Sequence, residues 1–137
     1  MIVLDTNVVS ELMKAQPDES VAGWVLAQAA GDLYTTSVTL AEILYGIERL
    51  PDGKRKELLG TTASGVFDAF AEQVLPFDAG AAASYATIVA TRDRLGLPIN
   101  GFDAQIAAIC LARGGGLATR NVKDFERTGV DVTNPWQ

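Results

Sequence analysis

The sequence predicts an α/β fold, a three-layer sandwich in which helices cover both faces of a mostly parallel central sheet. Three observations carry this. Short apolar runs such as Ile2–Leu4 lack polar alternation, which marks strands buried on both faces. Segments with apolar residues at helical spacing follow most of these runs. Strands that alternate with helices in this way make parallel sheets with right-handed crossovers. At 137 residues the length suits one domain, residues 1–137, with a substantial core.

The elements follow in order. Ile2–Leu4 is the first strand and runs straight into Asp5. Val8, Val9, Leu12 and Met13 return at helical spacing, so a helix spans about Thr6 to Lys14, closed by Gln16-Pro17-Asp18. A second helix covers Ser20 to Ala30, with Trp24 as a core anchor and Gly31 at its end. Leu33–Thr36 is a β-rich run. Ser37 offers an N-cap for the helix through Leu40, Ile43, Leu44, Ile47 and Leu50, stopped by Pro51-Asp52-Gly53. Lys54-Arg55-Lys56 opens a helix reaching Gln73, and Val74–Phe77 is a third strand. Asp78 caps a long alanine-rich helix from Ala79 to about Leu95, which ends at Gly96-Leu97-Pro98. Asn100-Gly101-Phe102-Asp103 leads into the apolar helix Ala104–Ala112. Gly114-Gly115-Gly116 follows a helix and precedes a strand, the reverse of a phosphate-binding loop, and serves as a C-cap and turn. Leu117–Thr119 is a fourth strand, Asn121 caps a short helical turn, and Val130–Val132 is an edge strand.

Composition removes several chemistries. The chain has no histidine, which excludes His-containing zinc sites, Ser-His-Asp and Cys-His nucleophiles and imidazole acid–base work. Neither a G-x-x-x-x-G-K-[ST] nor a G-x-G-x-x-G loop occurs. Cys110 is the only cysteine and sits in an apolar helix, so it reads as a small buried hydrophobe in a reducing, cytoplasmic protein. No apolar stretch has the length of a membrane span. The first strand begins at residue 2 and leaves no room for a secretory leader. The net charge of −6 argues against a phosphate-binding partner. Four carboxylates neutralised by divalent cations would change that balance, leaving eleven cations against thirteen acids.

Asp5, Glu42, Asp103 and Asp124 each lie at or just beyond the start of a helix. In a parallel sheet, helices that follow strands begin at the same edge, so four acids scattered through the chain can converge on one crevice. Acids also favour first turns for electrostatic reasons alone. Asp5 serves equally well as an N-cap. Glu42 has two readings. Thr39-x-x-Glu42 matches a capping box, which leaves Glu42 exposed. With Ser37 as cap, Glu42 falls in the second turn and faces inward.

The opening Ile2-Val3-Leu4-Asp5-Thr6-Asn7 resembles the start of a PIN domain, the nuclease fold of VapC-type toxins in bacterial toxin–antitoxin pairs. Thr36 through Gly46 is similar to the family's second motif, and Phe102-Asp103-Ala104 followed by Ile106-Ala107-Ala108 to its third. Leu117-Ala118-Thr119-Arg120-Asn121-Val122-Lys123-Asp124-Phe125 resembles the fourth, and Asn134-Pro135-Trp136 the family's ending. Together the motifs span nearly the whole chain in order. The resemblance is nearest to toxins paired with ribbon-helix-helix antitoxins.

What the resemblance implies is an endoribonuclease dependent on Mg²⁺ or Mn²⁺, leaving a 5′-phosphate and a 3′-hydroxyl. Asp5 and Asp103 are the expected direct metal ligands. Glu42 and Asp124 complete the shell directly or through water, and Thr6 and Asn121 support it. Carboxylates are the ligands such hard cations prefer. The family also implies an RNA substrate, a cognate antitoxin protein and a homodimer, with the helices near Leu40–Leu50 and Ala79–Val89 as candidate surfaces. Arg49, Lys54, Arg55, Arg92, Arg120 and Lys123 are candidate phosphate contacts. Rival readings are a non-cleaving RNA- or partner-binding module and an aspartyl-nucleophile phosphatase. The phosphatase needs a second acid two residues after the first, where this chain has Asn7. A receiver domain needs an acidic pair and a later lysine.

Overall fold

The computed structural model describes residues 1–137. Five strands, β1 (Ile2–Leu4), β2 (Leu33–Thr36), β3 (Val74–Leu75), β4 (Gly116–Ala118) and β5 (Val132–Thr133), form one sheet in the order β3-β2-β1-β4-β5. Every neighbouring pair is parallel. Six helices flank it: α1 (Thr6–Leu12), α2 (Glu19–Ala27), α3 (Ser37–Glu48), α4 (Lys54–Phe70), α5 (Ala79–Arg94) and α6 (Gly101–Arg113). The chain builds outward from β1 through β2 to β3, then returns past β1 to lay down β4 and β5. The reversal lies between β1 and β4, and the crevice at the carboxyl end of such a switch point is where open α/β sheets bind ligands.

The apolar strands lack polar alternation because both faces are covered. Val3 and Leu117 belong to one core with Ala81, Ile88 and the run Ile106–Cys110 of α5 and α6. Their neighbours Leu4 and Ala118 belong to the other, with Val8, Val9, Val21, Ile43 and Ala63. Successive side chains of a strand point to opposite faces, so each two-residue step feeds both layers. Cys110 is fully buried, and Trp24 packs against the second core, as expected of both. No helix is long and apolar enough to cross a membrane.

Several boundaries differ from the sequence reading, for local reasons. α3 is capped by Thr36, whose hydroxyl accepts from the Thr39 N–H at 3.1 Å, so Ser37 is already helical. Asp18 caps α2, accepting from Ser20 and Val21, and α2 stops at Ala27 before a separate 3₁₀ turn at Ala30–Asp32. α4 gives way to a 3₁₀ turn over Ala71–Gln73. β3 ends at Leu75 because Pro76 has no N–H to give a ladder. Asn100 caps α6, accepting from Phe102 and Asp103, and so starts that helix three residues before Ala104. Gly114 ends α6 at φ 68°, a left-handed C-cap suited to glycine. β5 pairs through Val132 and Thr133 rather than Val130. The 3₁₀ turn Val122–Phe125 forms after Asn121, but no side-chain cap supports it.

Candidate active site

Asp5 sits where β1 meets α1. Its N–H still donates to the Ala118 carbonyl of β4 at 2.9 Å, which fixes it at the reversal of the strand order. Its side chain caps α1, Oδ1 accepting from the Thr6 N–H at 2.8 Å. Oδ2 accepts from the Thr119 hydroxyl at 2.7 Å and from Asn7 Nδ2 at 3.4 Å. Capping therefore uses one oxygen of Asp5, and the other is held by Thr119 and Asn7. Asp5 is only 4% exposed. Burial raises its pKa above the ordinary carboxylate range. Hydrogen bonds from Thr119 and Thr6 oppose that rise, and the charge of Asp124 adds to it.

Glu42 lies in the second turn of α3 and faces inward, where the Thr6 hydroxyl donates to its Oε1 at 2.8 Å. A chain of hydroxyls backs this contact. Thr36 donates to Thr39 at 3.4 Å, and Thr39 and Thr6 are hydrogen-bonded at 3.1 Å. The capping-box alternative fails because Thr39 is inside the helix and fully buried. Burial raises the Glu42 pKa first, with the Thr6 bond opposing and the charge of Asp5 reinforcing.

Asp103, in the first turn of α6, and Asp124, in the turn after β4, line a cavity of about 370 Å³ with Glu42, Arg92, Asn100 and Phe102. Burial pushes the Asp103 carboxyl up to about 6, and the charges of Asp5, Asp124 and Glu42 add to the rise, while Arg92 opposes it. One carboxylate thus feels all three of the other predicted acids. Asp5 is absent from the lining of the cavity, as its burial requires, yet its charge reaches Asp103 and Glu42. The set is all carboxylate oxygen, the chemistry of a hard divalent cation. As the side chains stand, no three acids close on a single point. Mutual repulsion of uncompensated carboxylates opposes such closure.

The structure assigns work to residues that the sequence reading passed over. Asn7 donates to Thr119 Oγ1 at 3.2 Å as well as to Asp5, and its Oδ1 accepts from the Arg120 N–H at 3.3 Å. Thr119 joins Asp5, Asn7 and the Asn121 N–H, which donates to it at 3.1 Å. Their positions, three residues past β1 for Asn7 and one past β4 for Thr119, were the available signal. Asn121 itself is exposed and enters this network through its backbone. Arg92 is 6% exposed and donates to four main-chain carbonyls, so it is no free phosphate contact. Arg120 stacks over Trp136 at 5.1 Å and Arg49 over Tyr45 at 6.0 Å. Lys54, Arg55 and Lys123 are exposed. The Cys110 thiol is pushed up to about 12 by burial, with the charge of Asp5 adding to the shift, and it supplies no nucleophile at neutral pH.

Residues 2–131 match the family model described as the PIN domain. The chain is 44% identical to VapC ribonuclease Y4jK of Sinorhizobium fredii, over 100% of this chain and 99% of that protein. It is 37% identical to Toxin FitB of Neisseria gonorrhoeae, over 99% of each. Among solved structures, that of FitAB bound to the IR36 DNA fragment superposes with a TM-score of 0.93 at 37% identity, covering 100% of this chain and 96% of the other.

Proposed function

The chain belongs to the PIN-domain family, and from that premise we propose that it is an endoribonuclease toxin of a toxin–antitoxin pair, cutting RNA at the four-carboxylate cleft with Mg²⁺ or Mn²⁺. The observation that supports the site is the influence of Asp5, Glu42 and Asp124 on the Asp103 carboxyl. These residues come from the β1–α1 junction, α3, α6 and the turn after β4, and scattered helix caps would not share one field. The relatives named as a ribonuclease and a toxin support the activity.

In this reading residues 1–137 act as one PIN domain in the cytoplasm. A bound divalent cation would stabilise charge on the phosphorane-like transition state and make water a better nucleophile. Asp5 and Asp103 would hold it directly, and Glu42 and Asp124 would complete the shell directly or through water. Thr119 and Asn7 orient Asp5, and Thr6 holds Glu42, since ligands keep their direction through such hydrogen bonds. Asn121 supports the shell through the turn that it opens. The scissile phosphate enters beside Asp103 and Asp124, and cleavage leaves a 5′-phosphate and a 3′-hydroxyl. The antitoxin is a separate protein partner, a reading supported by the likeness to a member of the VapBC family of toxin-antitoxin systems from Mycobacterium tuberculosis. Homodimerisation uses α3, which leaves Leu44 and Tyr45 exposed at 51% and 67%. α5 is the weaker candidate, because Ala81 and Ile88 are already in the core.

The test is cleavage of a panel of structured and single-stranded RNAs with added Mg²⁺ or Mn²⁺, beside an EDTA control and the Asp5→Asn protein. Cleavage that needs both the metal and Asp5 is the expected result. RNA binding without cleavage would favour the binding module, and Asp5-dependent hydrolysis of a phosphate monoester in place of RNA would favour the phosphatase.

A further inference from the structure

Arg92 has no part in the chemistry described above, yet it is the one cation lining the acidic cavity. It stands in the last turn of α5 and its acceptors are all main chain. Nε donates to the Leu97 carbonyl at 2.7 Å and Nη2 to that of Pro98 at 3.4 Å. Nη1 donates to the carbonyls of Asp124 at 2.9 Å and Glu126 at 2.7 Å. The first pair lies in the connection that leads into Asn100 and Asp103. The second pair lies at the end of the turn that carries Asp124. One guanidinium therefore ties together the two segments that deliver these acids, which are far apart in sequence. Only a planar fork of fixed donors can reach both sides at once, because a lysine ammonium radiates its donors from a single atom.

We propose that Arg92 is a positioning residue for the acidic cleft, setting the spacing between Asp103 and Asp124 through the two backbone segments that it clamps. The proposal rests on the reading of these acids as metal ligands. It differs from the phosphate-contact reading, since Arg92 acts from inside the fold and touches no RNA.

The experiment compares Arg92→Lys with wild type in three readouts. Hydrogen exchange follows the amides of Leu97, Asp124 and Glu126, which donate to Arg92, Asn121 and Lys123. The Ala22 amide, bonded to Asp18, serves as control. Mn²⁺ titration and steady-state RNA cleavage give the other two. The clamp predicts exchange faster by about tenfold or more at the three amides, with the control unchanged. It also predicts Mn²⁺ binding weaker by about tenfold or more and a lower kcat at nearly constant KM. Unchanged amides overturn it. Faster amides with wild-type metal binding and kcat also overturn it, since Arg92 would then only stabilise the fold. If wild type itself neither binds Mn²⁺ nor cuts RNA, the four-acid reading fails and amide exchange alone judges the clamp. If Arg92→Lys does not fold, exchange in wild type decides. The three amides must open together, and independent opening of the Leu97 and Asp124 segments overturns the proposal.

Discussion

On the β1 side of the cleft, Asp5 accepts from Thr6, Thr119 and Asn7, and Glu42 accepts from Thr6. On the far side, the Asp103 carboxyl has no hydrogen bond to offset its burial and the three neighbouring charges. The Asp124 turn is held by its carbonyls rather than through its side chain. The first side is oriented in advance, with each acid pointed by hydroxyls and amides on the neighbouring elements. The second side stores negative charge that Arg92 offsets only in part. A cation entering between them finds fixed ligands on one wall and a field to neutralise on the other.

Substitutions can break this contrast. The largest effect falls on Asp5→Asn, which keeps the shape of the side chain but removes the charge. RNA cleavage should fall by roughly three orders of magnitude, the several kcal/mol that a metal-bound transition state draws from its site. Single-turnover kinetics measure it, and a loss under tenfold would put Asp5 outside the metal shell. Next comes Thr6→Val, which removes the hydroxyl that points Glu42. Cleavage and Mn²⁺ affinity should drop about 10- to 100-fold, with Thr6→Ser near wild type. Equal behaviour of the Val and Ser proteins would show that the hydroxyl orients nothing.

Thr119→Val tests the other anchor. It takes a donor from Asp5 and an acceptor from the Asn121 and Asn7 groups. Urea unfolding of the metal-free protein should show a loss of about 2 kcal/mol, the cost of unsatisfied buried partners. A change below about 0.5 kcal/mol, within the range of neutral surface substitutions, would mean that the network relaxes at no cost.

The smallest effect on stability is on the charged side and has the opposite sign. Asp103 titrates near 6 when folded against an ordinary 3.8. Folding therefore takes up a proton between those values, and metal-free stability falls as pH rises through that window. Asp103→Asn removes the penalty. At pH 7 it should gain about 1 kcal/mol, after discounting for partial exposure, or about 3 °C in Tm. It should also flatten the dependence of Tm on pH between 4 and 6 while abolishing cleavage. A lower Tm would contradict the crowding of charge.

How much of this was legible in the sequence follows from the same contrast. Ile2–Leu4 and Asp5 were readable because a doubly covered strand writes an unbroken apolar run and its end is marked by a polar residue. Glu42 was ambiguous because two threonines and a serine within four residues can each begin a helix, and only the packing of Thr39 into the interior chooses among them. Asp103 and Asp124 were placed on their elements, but their approach depends on the chain returning past β1 to form β4, a long-range event without a local signature. Arg92 was misread for a related reason. Its acceptors are backbone carbonyls, and carbonyls of Leu97 or Glu126 look like any others in a sequence. Thr119 and Asn7 were visible as residues, but the bonds of Thr119 to Asp5 and Asn7 cross between strands and required the parallel register of β1 with β4.

The most direct test of the central claim is calorimetric titration of the metal-free protein with Mn²⁺ at pH 6, in two buffers of different ionisation heat. Four carboxylates sharing one field predict saturable binding with release of protons, because burial and the neighbouring charges raise the Asp103 carboxyl to about 6. That release should shrink in Asp103→Asn, leaving only what Asp5 and Glu42 give up, and binding should weaken. Saturable binding without proton release, or binding indifferent to Asp103, would contradict a shared acidic site.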